Sequence, residues 1–499
     1  MKGITCTAGL MTLFIMNSAI AEPPVTISGP SPAIASFLNI GTTNSYTYTI
    51  PNNVPHASFP LSIEGLLSPV SRTSVSNDCG SSLPAGPSSC HIGITIAPTL
   101  SNSGQMINQT LSANYQGRVP LKQAISFSVP PVLASAGTYL DGSSDTVPAF
   151  ASSINNGSTW SQQVLSLPSG YTGSVPQGIS CVGSACVAVG YADNGEVAAE
   201  VYRSTDYGVT WSNDQVQRLS GVTSSQLHGV SCLGSICNAV GYGAQSGAIA
   251  SYFARSTNAG ESWTQQTLAP VVSGSIPDLK GVSCSGNSCV GVGYILTADF
   301  SAQNPFTVSS NDAGLTWTQQ SLPIPTDNAT TAELNGVSCN GSQCVGVGNY
   351  TDADTANDHM IVETTQNGGA SWSAQVLAYP TGYTNADLNA ISWYNNRYVA
   401  VGGASSTGLY ATNPLISIST DNGSSWTTQV LTLPTGFQTA VLYGVTCSAA
   451  SCAAVGLYRD NSGDFFQGVA ISTDQGATWT QQVLTPPAGY TTGHSYAVS

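Results

Sequence analysis

The sequence predicts an all-β chain: a seven-bladed β-propeller with four-stranded blades closed by shared termini, preceded by a small antiparallel β-sandwich. Three observations lead to this prediction. An eight-residue pattern recurs seven times at intervals of 51 to 55 residues, which suits one four-stranded blade per repeat. Charged residues make up only 7% of the 499 residues, against roughly 25% in an ordinary soluble protein. Most cysteines occur as pairs at a fixed position of the repeat.

The chain begins with a segment typical of a signal peptide. Lys2 provides a positive start, residues 8–16 form a mostly apolar core, and Ala19-Ile20-Ala21 is a small-x-small cleavage site. We therefore interpret residues 1–21 as a signal peptide and expect an exported protein that is secreted, periplasmic or at the cell surface. No later segment reaches the roughly 18 apolar residues that a membrane span requires.

Residues 22–129 lack the repeat and predict a separate β-sandwich domain. Alternating apolar runs at 45–50 and 92–96 are separated by Pro and Gly. The stretch from Cys79 to Cys90 resembles immunoglobulin-like modules of bacterial surface proteins. The resemblance implies a Cys79–Cys90 disulfide and a module that spaces or presents its neighbour. Residues 130–131, both proline, are the predicted linker to the propeller at 132–499.

The repeated pattern is Ser-x-Asp-x-Gly-x-Thr-Trp, as at residues 204–211. Its seven copies end at Trp160, Trp211, Trp263, Trp317, Trp372, Trp426 and Trp479. The position of the acidic residue is occupied by Asn155, Asp206, Asn258, Asp312, Asn367, Asp421 and Asp474. Within a repeat, segments rich in Val, Thr, Tyr and Trp are bounded by Gly, Asn and Pro, which predicts four strands and no helix.

The two ends of the repeat region complement each other. Residues 496–499 match the first strand of a repeat, but the chain stops before a second strand. Residues 133–139 resemble a second strand that has no first strand before it. We therefore expect one blade to be shared between the termini, which removes the exposed sheet edges of a linear array.

Five repeats carry a pair of cysteines separated by four residues. The middle two of these four residues form a predicted hairpin turn, and one residue on each side lies between the turn and a cysteine. The pairs are Cys181/Cys186, Cys232/Cys237, Cys284/Cys289, Cys339/Cys344 and Cys447/Cys452. In such a hairpin these positions form a non-hydrogen-bonded pair with Cα atoms about 4.5–5.5 Å apart, which predicts disulfides. A sixth repeat replaces both cysteines together, with Trp393 and Tyr398. Metal binding is the alternative, but neighbouring blades hold their pairs too far apart to share an ion.

The repeated pattern resembles the Asp-box, or bacterial neuraminidase repeat, found in sialidases, xyloglucan-cleaving glycosidases, sortilin-type receptors and photosystem II assembly factors. The resemblance covers residues 132–499. It implies that the seven boxes are structural turns, with the Asp capping backbone amides and the Trp packing between sheets. It also implies that ligands bind the opposite face, which carries the second-to-third strand loops and the inter-blade loops.

The arginines argue against sialidase activity. Sialidases with this repeat use three arginines for the substrate carboxylate and carry an Arg-Ile-Pro segment, which is absent here. Arg203 and Arg255 adjoin Asp-boxes and Arg397 lies in a hairpin turn, on the wrong face. Arg218 and Arg459 alone cannot form the triad.

A glycosidase with two carboxylates remains an alternative, since it needs an acid and a second carboxylate about 5–9.5 Å apart. The second-to-third strand loops offer Asp193, Glu196, Asp352, Asp354, Asp358, Asp460 and Asp464. Each is more simply interpreted as a solvated loop residue. A Ca²⁺ site among Asp352, Asp354 and Asp358 lacks the spacing of a known calcium loop.

Four inter-blade loops repeat the motif Pro-x-Gly-aromatic. The aromatic residues are Tyr171, Tyr383, Phe437 and Tyr490. They are the candidate ligand-binding residues, because aromatic rings at a propeller mouth stack on sugars. The alternative, which we favour, is that they anchor their loops against the blades.

Composition excludes several other functions. The net charge of −15, with ten Lys and Arg, disfavours nucleic-acid binding. The five histidines form no metal-ligand pair, and no phosphate-binding or dinucleotide motif is present, so we expect neither metal nor cofactor. We interpret the protein as a monomeric scaffold that binds a glycan or a protein through its loop face, with a glycoside hydrolase as the alternative. We expect no catalytic activity unless that alternative holds.

Overall fold

The computed structural model describes residues 27–35, 38–52, 59–64, 66–73, 82–83, 88–115, 121–215, 221–245, 247–326, 328–406, 412–448 and 451–499. The chain divides into two compact units, one ending at Val129 and the other running from Pro130 to Ser499. The described residues are almost entirely β-structure; their single helical turn is a 3₁₀ turn at Leu100–Asn102. The predicted signal peptide lies outside the described residues.

The first unit contains two four-stranded sheets. Its strands are β1 (Ser28–Ser31), β2 (Asn44–Asn52), β3 (Phe59–Glu64), β4 (Val70–Thr73), β5 (Ser82–Leu83), β6 (Ser88–Ile96), β7 (Met106–Tyr115) and β8 (Leu121–Ser128). The sheet orders are β1-β2-β6-β4 and β5-β3-β7-β8. Buried residues alternate along β2 and β6, as at Tyr48, Ile50, Ile92 and Ile94, because successive side chains of a strand point to opposite faces. Cys90 is disulfide-bonded, and its predicted partner Cys79 lies outside the described residues.

The described residues of the second unit contain seven successive groups of four antiparallel strands, numbered groups 1 to 7. One parallel bridge joins group 1 to group 2, and another joins group 4 to group 5, so that each of these pairs forms an eight-stranded sheet. Group 1 is β36 (Gly493–Val498), β9 (Leu133–Leu140), β10 (Thr146–Ser153) and β11 (Ser161–Val164). Group 2 is β12 (Gly173–Val182), β13 (Ala185–Asp193), β14 (Val197–Ser204) and β15 (Ser212–Gln215). Group 3 is β16 (Val222–Leu233), β17 (Ile236–Gln245), β18 (Ala248–Ser256) and β19 (Thr264–Leu268).

The remaining four groups follow the same order. Group 4 is β20 (Ile276–Ser285), β21 (Ser288–Leu296), β22 (Gln303–Ser310) and β23 (Thr318–Ser321). Group 5 is β24 (Ala329–Asn340), β25 (Gln343–Asp352), β26 (Asp358–Thr365) and β27 (Ser373–Val376). Group 6 is β28 (Asn385–Tyr394), β29 (Arg397–Ser405), β30 (Thr412–Ser419) and β31 (Thr427–Val430). Group 7 is β32 (Phe437–Cys447), β33 (Cys452–Asp460), β34 (Phe465–Ser472) and β35 (Thr480–Val483).

The first strands of consecutive groups contact one another, and β36 contacts both β32 and β12. A hydrogen bond repeats at these contacts, in which a backbone N–H donates to a serine hydroxyl of the preceding first strand. Cys232 N, for example, donates to Ser180 Oγ at 3.0 Å. The same bond joins Cys181 N to the hydroxyl of Ser499, the last residue, at 2.9 Å. Because β36 also pairs with β9, the C-terminal residues contact two groups from the beginning of the unit.

Each first strand carries a β-bulge at the same place in the repeat. The extra residues are Gln177, His228, Lys280, Asn335, Asn389, Tyr443 and Tyr496. A Gly or Ala follows each bulge, and here neighbouring backbones approach closely. A Cβ on Gly229 would lie 2.9 Å from the Cα of Gly281, and one on Gly444 would lie 2.8 Å from the Cα of Ala497. The small residue after the bulge therefore lets the first strands converge.

The structure joins the five cysteine pairs across the hairpins between first and second strands, with Cα atoms 4.0–4.1 Å apart. The separation is slightly shorter than the expected 4.5–5.5 Å. The disulfides are Cys181–Cys186, Cys232–Cys237, Cys284–Cys289, Cys339–Cys344 and Cys447–Cys452. In group 2 the flanking pair Val182 and Ala185 encloses the turn. Gly183 has a φ of 60°, a value that favours glycine at the first turn position.

The two cysteines of each pair differ in burial, which their spacing in the sequence did not predict. The first cysteine is half-buried in each pair, and the second is at most 2% exposed: Cys186, Cys237, Cys289, Cys344 and Cys452. Cys237 of group 3 packs in one apolar cluster with Val187 of group 2 and Leu227. Cys289 Sγ of group 4 accepts a hydrogen bond from Asn238 Nδ2 of group 3 at 3.6 Å. The disulfides are therefore part of the core between groups as well as links across a hairpin.

The turn between the third and fourth strands is held by side chains within a few residues. In group 2, Gly208 N donates to Ser204 Oγ at 2.9 Å, and that hydroxyl donates to Asp206 Oδ1 at 2.7 Å. Asp206 also accepts hydrogen bonds from the backbone and hydroxyl of Thr210, at 2.8 and 2.6 Å. Trp211 Nε1 donates back to Gly208 O at 2.9 Å. Gly208 has a φ of 84°, which explains the glycine of the repeated pattern.

These turns also pack between groups. The ring of Trp211 stacks on Phe150 of group 1, with centroids 4.3 Å apart. A Cβ on Gly208 would lie 2.6 Å from Ala134 Cβ of group 1, and one on Gly157 would lie 2.5 Å from Ile471 of group 7. Each turn therefore contributes to the apolar core between its own group and the one before it.

Candidate functional site

The two ends of each group differ in composition. At one end, the third-to-fourth strand turn contacts the disulfide hairpin of the same group, as in the hydrogen bond from Tyr207 N to Ser184 O at 2.9 Å. We call this the hairpin end. The other end, the loop end, carries the second-to-third strand loops and the connections between groups. Thr172 N, in such a connection, donates to Asp193 O at 2.9 Å.

Three of the arginines lie at the hairpin end. Arg203 Nη2 lies 3.3 Å from Glu261 Oε1 in the turn of the next group. Arg255 Nε donates to Ala313 O at 2.8 Å, and Arg397 Nη1 donates to Gln475 O at 2.6 Å. Each guanidinium thus connects neighbouring groups.

The other two arginines of the repeat region do not form a cluster in the described part of the chain. Arg459 lies on β33 with its guanidinium carbon 5.6 Å from the ring centre of Phe465, and its Nε donates to Gly463 O at 3.4 Å. Arg218 lies outside the described residues. No cluster of arginines is therefore assembled at the loop end within the described residues.

The loop carboxylates mostly support their own turns. Asp193 Oδ1 accepts a hydrogen bond from Gly195 N, and Asp460 Oδ1 accepts from Ser462 N and Asp464 N. Asp352 Oδ1 accepts from Asp354 N and Thr355 N, and Asp358 Oδ1 accepts from the hydroxyl of Thr351. Such bonds are the usual role of Asp in turns. Among the described residues, no three His, Cys, Asp or Glu side chains are placed to hold a metal ion.

The four loop aromatic residues close equivalent turns. Their backbone N–H groups donate to Pro168 O, Pro380 O, Pro434 O and Pro487 O, respectively. The preceding glycines have φ between 86° and 94°, as the third residue of a type II turn requires. Tyr383 OH accepts a hydrogen bond from Asn413 Nδ2 at 2.8 Å, Phe437 packs edge-on against Tyr458, and Tyr490 lies 6.0 Å from the Tyr139 ring. These contacts anchor the loops.

A second set of side chains, absent from the sequence-based candidates, lies on the first strands. The seven bulge residues are half-buried, whereas the residue before each of them is buried and the residue after it is buried in four of the seven strands. We call them the axial row. Although the surrounding sequence repeats, the axial row contains five residue types: Gln, His, Lys, Asn and Tyr. A bulge redirects a side chain, and bulges are frequent next to functional sites.

Two residues before the axial row, three consecutive groups carry a carboxylate: Asp278, Glu333 and Asp387. We call these the acid row. The equivalent positions in the other four groups are Val175, Gln226, Val441 and His494. The carboxylates are therefore confined to groups 4, 5 and 6. Each lies three residues before the point where neighbouring first strands converge.

The acid row meets the axial row in group 4. Lys280 Nζ donates to Asp278 Oδ2 at 2.7 Å and lies 5.3 Å from the ring centre of Tyr294. His228 Nε2 lies 3.3 Å from Asp278 Oδ1, but the two are not aligned as a hydrogen bond, and neither atom has another partner among the described residues. Burial lowers the pKa of His228 to about 4, partly opposed by the charge of Asp278, so the imidazole is neutral at neutral pH.

The other two carboxylates are held mainly by neutral donors. Gln303 Nε2 donates to Glu333 Oε2 at 2.9 Å, and Gly403 N donates to Asp387 Oδ1 at 2.9 Å. Burial raises the pKa of Glu333, with the charge of Lys280 opposing the shift. Burial also raises the pKa of Asp387 to about 6, and the Gly403 bond opposes it. Both carboxylates are therefore short of positive charge.

Aromatic rings lie in the groups that follow the acid row. Tyr443 and Tyr496 are axial residues of groups 7 and 1, and their ring centroids are 6.3 Å apart. His494 lies 6.0 Å from Tyr496. The strand of Tyr443 contacts the strand of Asp387. Burial raises the pKa of Tyr443 to about 12, and the charge of Asp387 adds to the shift. Aromatic faces beside carboxylates and amides are a combination that suits sugar rings and their hydroxyl groups.

The sequence contained a signal for this site. The axial residue stands directly before the Gly or Ala of the repeated strand motif, and it and the acid-row position are the two places in this motif at which the repeats differ in charge. Alignment of the seven repeats by that Gly or Ala would have separated both from the structural positions. The bulge that redirects its side chain is visible only in the strand register.

Comparisons with known proteins give distant similarities only. No protein-family model matches the sequence, and no curated protein matches it significantly. A polysaccharide lyase of family 25, an ulvan lyase, is 11% identical and aligns over 62% of this chain and 84% of its own, with a TM-score of 0.43. A Trypanosoma rangeli sialidase, 12% identical, aligns over 60% of this chain and 53% of its own, with a TM-score of 0.39.

A third structure, a Bacillus subtilis arabinanase, is 10% identical and aligns over 48% of this chain and 92% of its own, with a TM-score of 0.31. At this distance the similarities do not indicate a substrate or a reaction. None of the described residues belongs to a helix of the length and hydrophobicity needed to cross a bilayer.

Proposed function

We propose that residues 132–499 form a closed seven-bladed β-propeller, in which the termini share one blade, and that it binds a glycan at the axial and acid rows. Contacts among the seven first strands, and of β36 with both β12 and β32, support the closed arrangement. Residues 22–129 act as an immunoglobulin-like module that presents the propeller. Five hairpin disulfides are typical of oxidising compartments, which supports export of the chain.

The observation that supports binding at this place is the variation of the axial row within an otherwise uniform repeat. A position that served only the fold would carry the same residue in each group, as the neighbouring glycines nearly do. Instead it offers amide, imidazole, ammonium and phenol groups at one level of the structure. Polar groups with aromatic rings in a partly enclosed place are typical of small-ligand sites.

A glycan array with the purified protein tests the proposal. We expect binding to be lost in Tyr443→Ala and Tyr496→Ala, because the rings that stack on the sugar are removed. The matched control is Tyr171→Ala, at the turn of a loop, which should leave binding unchanged. Binding lost in Tyr171→Ala but retained in both axial variants would place the site on the loops and contradict the proposal. An array without any bound glycan would contradict glycan binding itself.

A glycoside hydrolase is the second candidate, and one observation favours it. Asp387, whose pKa is raised to about 6, retains a proton closer to neutral pH than an ordinary carboxyl group, as a general acid must. Glu333 on the neighbouring first strand supplies a second carboxylate. The test is hydrolysis of neutral polysaccharides by the wild type and by Asp387→Asn and Glu333→Gln. Turnover that is lost in both variants would make the protein an enzyme; absence of turnover across the panel supports a binding role.

We predict that sialosides are not hydrolysed, because a buried carboxylate is best held by bidentate guanidinium groups and no arginine cluster is described here. A fluorogenic sialoside assay measures this directly. Turnover that disappears in Arg459→Ala or Arg218→Ala would contradict the prediction. The matched control is Arg255→Ala, at the hairpin end.

A further inference from the structure

The charges around the axial row are unevenly distributed. Within the axial and acid rows, which the structure describes completely, three carboxylates face a single side chain that carries positive charge at neutral pH, Lys280. Lys280 is already engaged by Asp278 at 2.7 Å. Glu333 and Asp387 therefore stand on neighbouring first strands without a cation of their own.

Both carboxylates have unused hydrogen-bonding capacity. A carboxylate accepts about four hydrogen bonds. Glu333 is bonded by Gln303, and Asp387 is bonded by Gly403 N and by the side chain of Asn389. Charge-assisted hydrogen bonds are roughly twice as strong as neutral ones, so a cationic donor has more to gain here than a hydroxyl group.

An independent observation in group 4 also indicates a missing donor. Asp278 is 6% exposed, and its Oδ1 has no hydrogen-bond partner in the described structure. Nor does the adjacent Nε2 of His228, although it lies 3.3 Å away. An unsatisfied buried acceptor is unfavourable. A polar ligand that reaches the acid row would satisfy it.

Aromatic rings complete this environment. Asn389, two residues after Asp387, donates to the carbonyl of Leu442, the residue before Tyr443, at 3.1 Å, so Asp387 and Tyr443 lie on adjoining parts of neighbouring strands. The charge of Asp387 adds to the raised pKa of Tyr443. The ring of Tyr496 lies 6.3 Å from that of Tyr443. Cations are stabilised over aromatic faces as well as by carboxylates.

Building on the proposed function, we propose that the glycan bound at the axial row carries a protonated amine, which is held by Glu333 and Asp387 beside Tyr443. The ligand class is an amino sugar without an N-acyl group. An acetamide or hydroxyl group at the same carbon would not compensate the charge of the two carboxylates, and an acidic sugar would be repelled. The amide oxygen of Gln177 is already bonded to His228 Nδ1, whereas Asn335 bonds its neighbours through its amide nitrogen. The amide oxygen of Asn335 therefore suits a sugar hydroxyl, which favours an amino glycan over a basic peptide.

The experiment is isothermal titration calorimetry of the purified protein with three β-1,4-linked tetrasaccharides that differ only at carbon 2. These are the glucosamine tetramer with amines, the N-acetylglucosamine tetramer with acetamides, and cellotetraose with hydroxyls. We expect the amine form to bind about tenfold or more tightly than the others at low salt, as one charge-assisted hydrogen bond would give. The advantage should shrink as salt is added.

Variants assign the effect to the proposed residues. Glu333→Gln and Asp387→Asn preserve shape, and each should reduce binding of the amine form about tenfold while changing the affinity for cellotetraose less than twofold. Asp464→Asn, on an exposed loop at the same end, is the matched control for loss of one negative charge and should have no effect. Thermal melting of each variant checks that it is folded.

The outcomes distinguish a failure of amine recognition from a failure of glycan binding, the proposed function on which it rests. Equal affinity for the three tetramers, or tighter binding of the acetamide form, would overturn the amine while retaining glycan binding. Loss of amine binding in Asp464→Asn to the same extent as in Asp387→Asn would also overturn it. Tighter binding of a lysine tetrapeptide than of the amine tetramer would replace the glycan with a basic peptide. Failure of the glycan array would reject the proposed function itself.

Discussion

The hairpin end and the axial row differ in how much their residues vary from one group to the next. At the hairpin end, a glycine N–H donates to a serine or threonine hydroxyl in all seven groups. Six of the seven tryptophans also donate back to that glycine. In the axial row, a few residues away, neighbouring groups carry His228, Lys280 and Asn335 at one structural position. Along each strand, therefore, the residues that stabilise the fold and the residues proposed to bind a ligand occupy different positions.

The physical reason lies in what each position satisfies. Hydrogen bonds of the turn satisfy backbone donors that every copy of the turn presents, so every copy needs the same side chains. An axial residue is left out of the ladder by its bulge. Only some axial side chains bond the backbone of the next first strand, as Asn335 and Asn389 do. The axial position is therefore open to variation, and substitutions there should change binding with little effect on folding. Substitutions at the hairpin end should lower stability with little effect on binding.

The largest effect on stability is expected from removal of the C-terminal strand, which completes group 1. Deletion of residues 492–499 removes β36, which pairs with β9, and removes the hydroxyl that accepts from Cys181 N. Two sheet edges become exposed, so we expect aggregation or a loss of more than about 4 kcal/mol of unfolding free energy. Thermal melting and size-exclusion chromatography measure this. Ser499→Ala is the control, because it removes only the hydroxyl; an unchanged truncated monomer would contradict the closed arrangement.

The next effect concerns one disulfide. Replacement of Cys339 and Cys344 by serine should lower stability by about 2 kcal/mol, because the bond closes a very short loop and short loops lose little entropy in the unfolded chain. Denaturant unfolding of the oxidised proteins measures the difference. Group 6 folds with Trp393 and Tyr398 at these positions, which is why we expect tolerance. Complete unfolding of the double variant would show that this disulfide is essential, contrary to the tolerance that group 6 leads us to expect.

A smaller effect is expected from one turn hydroxyl. Ser204→Ala leaves the buried N–H of Gly208 without its acceptor and should cost about 1 kcal/mol. The same variant should bind glycans as the wild type does, because Ser204 belongs to neither the axial row nor the acid row. The exposed neighbour Thr205→Ala is the control in a urea titration. A variant of Ser204 with normal stability and weakened binding would reverse the assignment of the two regions.

The smallest effect is a change with pH. A hydroxyl four residues later donates to each of Asp312, Asp421 and Asp474, and these bonds lower the pKa of each carboxyl to about 2. A lowered pKa stabilises the fold above the ordinary value of about 3.8, and that stability is lost as pH falls through about 2. Melting temperatures between pH 5 and pH 2 should therefore decline less steeply in a triple Asp→Asn variant, since three other turns already carry Asn. An identical decline would mean that these bonds do not contribute.

The sequence-based prediction was strongest where contacts are local. The bond from Gly208 N to Ser204 spans four residues, and Cys181 and Cys186 are separated by five. Such interactions leave a fixed spacing in the sequence, and repetition makes the spacing visible. The roles of the loop residues were harder to predict, because the sequence around Asp352 and Tyr383 is equally compatible with a ligand site and with a turn. The bonds from Asp354 N to Asp352 and from Tyr383 N to Pro380 O place them in turns.

What the sequence by itself determined is therefore the all-β class, the period of the repeat and the pairing of its cysteines, since each depends on residues close together in the chain. The grouping of Asp278, Glu333 and Asp387 was decided by the tertiary structure alone. These residues are 54 or more positions apart, in strands whose surrounding sequence is nearly the same. They occupy equivalent places on adjacent strands because small residues such as Gly281 and Gly336, each next to a bulge, let the first strands converge.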